Sequence, residues 1–349
     1  MQRSTTNRSG PEAHRDRVGG REGTLDRDNR PETIGTREGD VEGDRPLFSV
    51  IVPTYSRPER LARCLRALNS LDMREGSCEI IVVDDGSGAE EAAATEELCR
   101  AAGVTLLRQN KAGPATARNT GAAASRGRYL AFLDDDCEPA SGWLKEIALA
   151  RHGAPDAAFG GRTVNALSRN RYSAASQALI DYLYFYYADE RNGTNRAGFF
   201  ASNNLVVPAE GFRALGGFDE TYPFAAGEDR DLCDRWLARG HSLVYLSGAL
   251  VYHTHPMTFA TFCKKHFDYG RGALRFHRDR ARRSADRIRF EPVRFYANLL
   301  TWPFKQAPQV SPPTLAALLL VAQFAQASGF VFEASSRRAR SRETSLPER

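Results

Sequence analysis

Short runs of apolar residues alternate with segments of helical spacing through the first half of the chain. Leu61, Leu65 and Leu68, for example, lie on one face of a helix that begins at Pro58. The predicted strands cover 48–55, 79–87, 104–109 and 129–134, and the predicted helices cover 58–70, 89–102 and 114–125. This alternation predicts an α/β fold with a mostly parallel central sheet that is flanked by helices.

Polar loops follow three of these strands. They begin at Pro53, Asp84 and Asp134, and the carboxyl ends of parallel strands meet at one edge of the sheet, where open α/β folds bind their ligands. Asp134, Asp135 and Asp136 directly follow an apolar run, so we expect these carboxylates to be exposed, hydrated or bound to metal. Carboxylate oxygens suit magnesium and manganese. The triplet therefore predicts a divalent-metal site, with a solvated acidic turn as the alternative.

The usual glycine-rich phosphate loops are absent from the sequence. The chain has no GxGxxG segment after the first strand and no GxxxxGK[ST] segment anywhere, which argues against a dinucleotide fingerprint and a Walker loop. A divalent ion held by the aspartate triplet could instead bridge two phosphate oxygens and neutralise a leaving diphosphate.

The second half of the chain is less regular. In the segment AAGEDRDLCDRWLARG, Leu232, Trp236 and Leu237 mark the buried face of a helix. Glu228 and Asp229 then fall at the N-terminus of this helix, where the helix dipole favours acidic side chains. A capping role and a functional role are both open for this pair.

The chain begins with a segment of unusual composition. Residues 1–46 are rich in Arg, Asp, Glu, Gly and Thr and contain almost no apolar residue, which predicts a disordered tail. This tail lacks the apolar core of a signal peptide, so we expect the catalytic part in the cytoplasm. The six cysteines show no metal-type CxxC spacing, as is typical of reduced thiols in the cytosol.

A basic and apolar helical extension follows at 258–334. Its stretch from Lys264 to Arg294 has eleven Lys or Arg residues and four Asp or Glu residues, a net charge of +7. The apolar run 315–332 can form a transmembrane or re-entrant helix, an interfacial helix or a helix packed on the catalytic domain. We expect a membrane surface as a partner, at the inner face of the cytoplasmic membrane. The last residues, 335–349, predict a disordered basic tail, and the basic run lacks a nucleic-acid-binding motif, so we expect no nucleic-acid partner.

Four segments occur in the order of a known enzyme family. They are FSVIVPTYSRPERLARCLRAL, EIIVVDDGS, GPATARNTGAAASRGRYLAFLDDD and GGFDETYPFAAGEDRDLCDRWLARG. Together they resemble the inverting glycosyltransferases of family two, over residues 48 to about 255. The resemblance implies a Rossmann-like GT-A fold for a catalytic domain at 47–257, with the C-terminal helical tail beyond it.

The resemblance also implies a site for a nucleotide-sugar donor. Its donor nucleotide-binding residues would be Pro53, Thr54, Tyr55, Asp85, Arg118, Asp134 and Asp135. Asp136 would bind Mn²⁺ or Mg²⁺ and His253 would complete the metal shell, whereas His255 is a weaker candidate. A surface helix arginine is the alternative for Arg118, and a structural role is the alternative for the histidines.

By the same resemblance, Asp229 is the base that deprotonates the acceptor hydroxyl, with Glu228 in support. Single displacement would invert the anomeric configuration without a nucleophilic enzyme residue. Asn204, Gly217 and Asp219 would shape the acceptor side, although turn and capping roles are equally compatible with the sequence.

The expected reaction moves a sugar from a UDP-, GDP- or dTDP-sugar to a glycan or lipid-linked acceptor of the cell envelope. The QxxRW motif of processive synthases is absent after the predicted base, which favours a single transfer or a short chain. Two alternatives are a sugar nucleotidyltransferase, which would need a glycine-rich loop after the first strand, and a non-catalytic nucleotide- or glycan-binding module, which would need no base. The tyrosine-rich segment 182–187 predicts a packed helix, with stacking on an acceptor as the alternative.

Overall fold

The computed structural model describes residues 45–74, 77–187, 198–222, 226–284, 291–306 and 308–343, with side chains described as far as residue 336 except at 284. Residues Asp44–Arg349 form one compact unit. The extension expected at 258–334 therefore packs with the α/β part of the chain. Nearly all of the tail predicted at 1–46 lies outside the described residues.

Eight strands and ten helices make up the described part of the chain. The strands are Phe48–Thr54 (β1), Cys78–Asp84 (β2), Thr105–Arg108 (β3), Tyr129–Phe132 (β4), Cys137–Pro139 (β5), Ala158–Asn165 (β6), Leu205–Pro208 (β7) and Leu243–His253 (β8). The helices are Pro58–Asn69 (α1), Ala89–Ala102 (α2), Pro114–Ala124 (α3), Trp143–Ala150 (α4), Arg171–Tyr187 (α5), Ala209–Ala214 (α6), Glu228–Ala238 (α7), Phe259–Ser284 (α8), Val293–Thr301 (α9) and Pro312–Glu343 (α10). Because α10 continues to Glu343, the first part of the tail predicted as disordered at 335–349 is helical instead.

The strands form one sheet in the order β3-β2-β1-β4-β7-β6-β8-β5. β1 pairs in parallel with β2 and β4, and β2 pairs in parallel with β3. These pairs confirm the parallel arrangement predicted for the first half of the chain. The second half makes the sheet mixed, because β7 runs antiparallel to β4 and β6, and β5 runs antiparallel to β8.

Apolar residues cover both faces of the sheet. On one face, α1, α2 and α4 share a buried cluster with residues of β1 and β2. On the other face, α3, α6 and α7 pack against a cluster that includes Ile51 and Phe132. α3 lies especially close to β1, because a Cβ atom at Gly121 would collide with the side chain of Ile51. This close approach sets the position of Arg118, which lies one turn before Gly121.

The apolar run at 315–332 lies in α10, which packs along α8. A Cβ atom at Gly270 would collide with the carbonyl oxygen of Gln326, and one at Gly329 would collide with that of Phe267. The two helix backbones therefore touch through small residues. Of the three alternatives for this run, packing against the catalytic part is observed.

The exposed face of α10 is nevertheless apolar. Leu320, Phe324 and Val331 expose 45%, 67% and 61% of their surfaces, at the spacing of one helix face. Among the described helices, α10 is the one that is long and apolar enough to cross a membrane by length and composition, over Pro312–Ser336. One side of this helix is thus packed in the protein and the other side faces outward.

Candidate active site

A cavity of about 880 Å³ lies at the carboxyl ends of β1, β2 and β4. This is the sheet edge that the loops after those strands predicted, and the volume is in the range of small-molecule sites. The structure brings the following predicted residues to the cavity wall: Pro53, Thr54, Tyr55, Asp85, Arg118, Asp134, Asp135, Asp136, Glu228, Asp229 and His253.

Asp85 holds the loop that borders one end of the cavity. Its carboxylate accepts a hydrogen bond from Gln109 Nε2 at 2.8 Å and two more from the backbone N–H groups of residues 112–113, at 2.8 and 2.9 Å. In the same loop, Lys111 Nζ lies 3.8 Å from the centroid of the Tyr55 ring, a cation–π contact. Sequence reasoning missed Gln109 and Lys111, because no local signal shows that this loop folds back onto Asp85.

Asp135 is buried and paired with protein groups, so it is not the exposed carboxylate that the sequence allowed. The hydroxyl of Thr54 donates a hydrogen bond to it at 2.8 Å, and Arg57 Nη1 donates another at 3.2 Å. Burial raises the pKa of Asp135 to about 6; the Arg57 charge opposes this rise and the Asp136 charge adds to it. Asp135 therefore ties the triplet to the end of β1.

Asp136 contacts two arginines and two histidines. Arg60 Nη1 lies 3.0 Å from its Oδ2 atom and Arg57 Nη1 lies 3.8 Å from the same atom. His253 Nε2 lies 3.2 Å from Oδ1, and His255 Nδ1 lies 3.3 Å from Oδ2. Burial disfavours ionisation of Asp136, but the hydrogen bonds with His253 and His255 outweigh it and lower the pKa. The carboxylate is therefore ionised.

Asp136 and His253 offer the donor types that a divalent ion accepts in this position. With Cys137 they form a group whose ligand atoms lie within 4.8 Å of one another. Burial raises the pKa of the Cys137 thiol well above its usual range, and hard ions such as Mn²⁺ and Mg²⁺ prefer oxygen to sulfur. The carboxylate and the imidazole therefore fit the metal better than the thiol does. His255, the weaker candidate from the sequence, lies as near to Asp136 as His253 does.

Arg118 is a buried bridge and not a surface arginine. Its Nη2 atom donates a hydrogen bond to Asp134 at 2.8 Å, and its Nη1 atom donates one to Glu228 at 3.2 Å. Burial disfavours the guanidinium charge, but the charges of Asp134 and Glu228 outweigh this and raise the pKa of Arg118. This side chain joins the aspartate triplet to the start of α7.

Glu228 and Asp229 begin α7, as the sequence predicted. Gly227 precedes them with a φ of +101°, a conformation that glycine adopts without strain. Burial raises the pKa of Glu228 to about 7, and the charge of Asp229 adds to the rise while Arg118 opposes it. Burial also raises the pKa of Asp229, against a hydrogen bond from the backbone of Arg230. A carboxylate on a cavity wall with a raised pKa is a competent proton acceptor.

Residues 49–215 match the family model described as glycosyl transferase family 2. This segment is thus similar in sequence to the glycosyltransferases of family 2. Glycosyltransferase AglE of Haloferax volcanii is 28% identical over 231 residues, which cover 66% of this chain and 73% of that protein. The pre-mycofactocin glycosyltransferase of Mycobacterium tuberculosis is 30% identical over 230 residues, which cover 64% of this chain and 46% of that protein. The chain thus spans less than half the length of the mycobacterial relative.

The fold of this chain is also that of a solved structure. The mannosyltransferase PcManGT from Pyrobaculum calidifontis, in complex with GDP-Man and Mn²⁺, matches with a TM-score of 0.53 and 19% identity, covering 85% of this chain and 81% of that one. This likeness confirms the GT-A fold expected from the sequence.

The cavity has a second wall that the sequence did not predict. From α5 it includes Ser173, Ser176, Gln177, Leu179, Ile180 and Leu183, and from α8 and α10 it includes Lys265, Asp268, Tyr269, Ala273, Phe276 and Gln326. On α5 and α8 these residues recur every three to four positions, a spacing that predicts an inward-facing helix surface. The spacing does not show whether that surface contacts protein or a cavity. The C-terminal extension therefore completes the cavity.

The tyrosine-rich segment at 182–187 lies in α5 and is packed, as predicted. The hydroxyl of Tyr182 donates a hydrogen bond to the carbonyl oxygen of Phe295 at 2.8 Å, and that of Tyr187 donates one to Glu291 at 2.6 Å. These tyrosines attach α5 to the segment around α9.

Asn204, expected on the acceptor side, is buried outside the cavity wall. Its Oδ1 atom accepts a hydrogen bond from Trp143 Nε1 at 2.8 Å, and its Nδ2 atom donates one to the carbonyl oxygen of Ala249 at 2.9 Å. The structure thus gives Asn204 a packing role, since both ends of its amide bind protein groups.

Gly217 and Asp219 also lie outside the cavity wall. Gly217 has a φ of +72° and leaves room for the side chain of Asn119. Asp219 accepts a hydrogen bond from the backbone of Thr221 at 2.9 Å and forms an ion pair with Arg275 at 3.4 Å. These contacts correspond to the turn and capping roles that the sequence left open, and the acceptor-side role of these two residues stays a prediction.

Proposed function

We propose that this chain is a metal-dependent inverting glycosyltransferase that moves a sugar from a nucleotide-sugar donor to a hydroxyl acceptor. The observation that carries the proposal is that one cavity is lined both by Asp136 with His253 and by Asp229. These groups are the chemical requirements of a metal-assisted displacement with a general base. The donor nucleoside, from a UDP-, GDP- or dTDP-sugar, is left open by this argument.

The donor binds at the edge formed by β1, β2 and β4. Tyr55 and the loop held by Asp85 receive the nucleoside. Asp134 is the triplet member with room for the ribose, because its side chain is 30% exposed while that of Asp135 is 4% exposed. Asp135 instead positions β1 through its hydrogen bond with Thr54. Pro53 lies at the same strand end.

Asp136 and His253 would hold the Mn²⁺ or Mg²⁺ ion. When bound, the ion supplies positive charge to the diphosphate that leaves with the nucleotide. The ionised state of Asp136 suits this task, because an anionic oxygen is the preferred ligand of a hard cation. Arg60 Nη1 lies 3.0 Å from Oδ2 of Asp136, the oxygen on the side away from His253 Nε2, and keeps this carboxylate oriented.

Asp229 accepts the proton of the acceptor hydroxyl. Its raised pKa makes it a stronger base than an exposed aspartate. Glu228 is held by Arg118 and fixes the start of the helix that carries Asp229. Attack from the face opposite to the nucleotide inverts the anomeric configuration in one step, so no enzyme nucleophile is required.

The acceptor occupies the part of the cavity beside Asp229. There the guanidinium of Arg230 lies 5.0 Å from the ring centroid of Phe199 and 5.2 Å from that of Phe276. The apolar residues of α5 line the same cavity. We infer an acceptor with an apolar portion as well as a hydroxyl group, as in a lipid-linked glycan of the cell envelope.

A membrane surface would present such an acceptor. α10 exposes the apolar side chains of Leu320 and Phe324. α9 packs against α10 and exposes Arg294. Exposed apolar and basic side chains on two packed helices favour interfacial binding to anionic lipid. Sedimentation with anionic and neutral phospholipid vesicles tests this: a chain with Leu320→Ser and Phe324→Ser should bind anionic vesicles less, and equal binding would contradict it.

Calorimetric binding of UDP, GDP and dTDP, with and without Mn²⁺, is the test of the donor site. The full chain is required, because Gln326 of α10 lines the cavity. We expect one of these nucleotides to bind in a manganese-dependent manner. NMR of the product formed from the matching sugar donor should then show inverted configuration. Binding of none of the three, or a product with retained configuration, would overturn the proposal.

A further inference from the structure

Three cations on the cavity wall already have carboxylate partners. Arg57 pairs with Asp135, Arg118 pairs with both Asp134 and Glu228, and Lys264 pairs with Asp268. Among the described residues, Lys111, Arg230 and Lys265 also line the cavity, and none of these three forms an ion pair with a described carboxylate.

Two of these three cations are engaged by aromatic rings. Lys111 lies over the ring of Tyr55, and Arg230 lies against Phe199 and Phe276. Lys265 Nζ lies 5.6 Å from the centroid of the Tyr269 ring, close to the limit of about 6 Å for a cation–π contact. Of the three cations, Lys265 therefore has the longest aromatic contact, and it has no carboxylate partner among the described residues.

The position of Lys265 places it at the metal end of the cavity. It lies near the start of α8, shortly after the end of β8, whose last residue is His253. Lys265 lines the cavity together with His253 and His255. His255 Nδ1 in turn lies 3.3 Å from Asp136 Oδ2.

The adjacent lysine is different. Lys264 Nζ binds Asp268 Oδ2 at 2.6 Å, and its side chain is 74% exposed. A neutralised, solvated lysine has little effect on a ligand charge. The two neighbours therefore provide a matched pair: one cation without an acid partner at the metal end, and one that is already paired.

We propose that Lys265 binds the diphosphate of the donor and stabilises it as it leaves, an inference that rests on the proposed function. In the transfer, the acceptor oxygen forms a bond to the anomeric carbon and its proton passes to Asp229. The bond between the anomeric carbon and the diphosphate oxygen breaks, and its electron pair stays on that oxygen. The ammonium of Lys265 donates hydrogen bonds to the negative charge that develops there.

Binding of a nucleoside diphosphate and of its monophosphate to Lys265 variants tests this role. The probe is whichever of UDP, GDP and dTDP binds the wild-type chain most tightly in the presence of Mn²⁺, together with the corresponding monophosphate. We expect Lys265→Ala to lose affinity for the diphosphate by about ten- to a hundredfold, the range for a hydrogen bond to a charged group. Affinity for the monophosphate should change little, and Lys265→Arg should keep most of the diphosphate affinity.

Lys264→Ala is the control and should bind the diphosphate as the wild type does. An unchanged diphosphate affinity in Lys265→Ala, or an equal loss for the monophosphate, would overturn the role of Lys265 while leaving the proposed function intact. If Lys265 instead bound a phosphate of the acceptor, Lys265→Ala would leave the diphosphate affinity unchanged, because no acceptor is present in this measurement. Failure of the wild-type chain to bind any of the three nucleotides would overturn both proposals. Thermal unfolding of each variant reports whether the fold is kept.

Discussion

Arg118 and Glu228 form a buried ion pair, with Nη1 and Oε1 separated by 3.2 Å, although they are 110 positions apart in the chain. Each side chain is only 4% exposed. Arg118 also binds Asp134, so one guanidinium connects the loop after β4 to the first turn of α7. The distance between the aspartate triplet and Asp229 thus depends on a side chain from α3.

Removal of this guanidinium should destabilise the fold. We expect Arg118→Leu to lower the free energy of unfolding by about 3 to 5 kcal/mol, because Glu228 is then left as a buried and unpaired acid. The double variant with Glu228→Leu should recover part of this loss, since neither charge remains. Urea unfolding followed by circular dichroism measures both. A single-variant loss below about 1 kcal/mol would show that water or another group replaces Arg118.

Asp229→Asn should separate chemistry from binding. The amide keeps the size of the side chain but cannot accept the proton, so we expect the turnover of the donor to fall at least about a hundredfold. Calorimetry should find nucleotide affinity nearly unchanged, because Asp229 lies apart from the nucleoside end of the cavity. Turnover close to that of the wild type would exclude Asp229 as the base.

The pH dependence of kcat/KM should report the raised pKa of Asp229. The base acts in its ionised form, so activity should be present above this pKa and should fall as the pH decreases through it. This acidic limb should lie above the usual range of an aspartate. Glu228→Gln removes a neighbouring negative charge and should move the limb to lower pH. A limb that does not move in this variant would show that the two carboxyl groups are not coupled.

The metal ligands should govern donor binding in the presence of Mn²⁺. We expect Asp136→Ala and His253→Ala each to weaken Mn²⁺-dependent nucleotide binding by about tenfold or more, since each removes a ligand. Nucleotide binding measured in EDTA should change little in His253→Ala. The same titration with His255→Ala decides whether this second histidine, also near Asp136, holds the ion or only the carboxylate.

The contact between α8 and α10 should be sensitive to size at Gly329. A valine there would collide with the backbone of Phe267, and we expect Gly329→Val to lower the free energy of unfolding by about 1 to 3 kcal/mol. The exposed neighbour Ser328 is the matched control, and Ser328→Val should be nearly neutral. Equal stability of both variants would mean that α10 is not held against α8 as described.

The residues that sequence reasoning identified are those whose signal is local. The Asp triplet follows a strand, and Glu228 with Asp229 begins a helix, so both motifs could be placed on elements from the pattern alone. Lys111 and Gln109 were missed because their partners, Tyr55 and Asp85, are distant in the chain. Asn204 was assigned to the acceptor side from its position in a motif, but its amide binds Trp143 and Ala249.

The sequence by itself determined the order of strands and helices in the first half, the sheet edge that carries the site, and the family of the domain. These follow from hydrophobic periods and from motifs, which are read within a few residues. The tertiary structure alone decided that Asp135 is buried, that Arg118 bridges two acids, and that α5, α8 and α10 form the second wall of the cavity. Burial and ion pairing depend on which distant segments pack together, and that packing has no local signature in the chain.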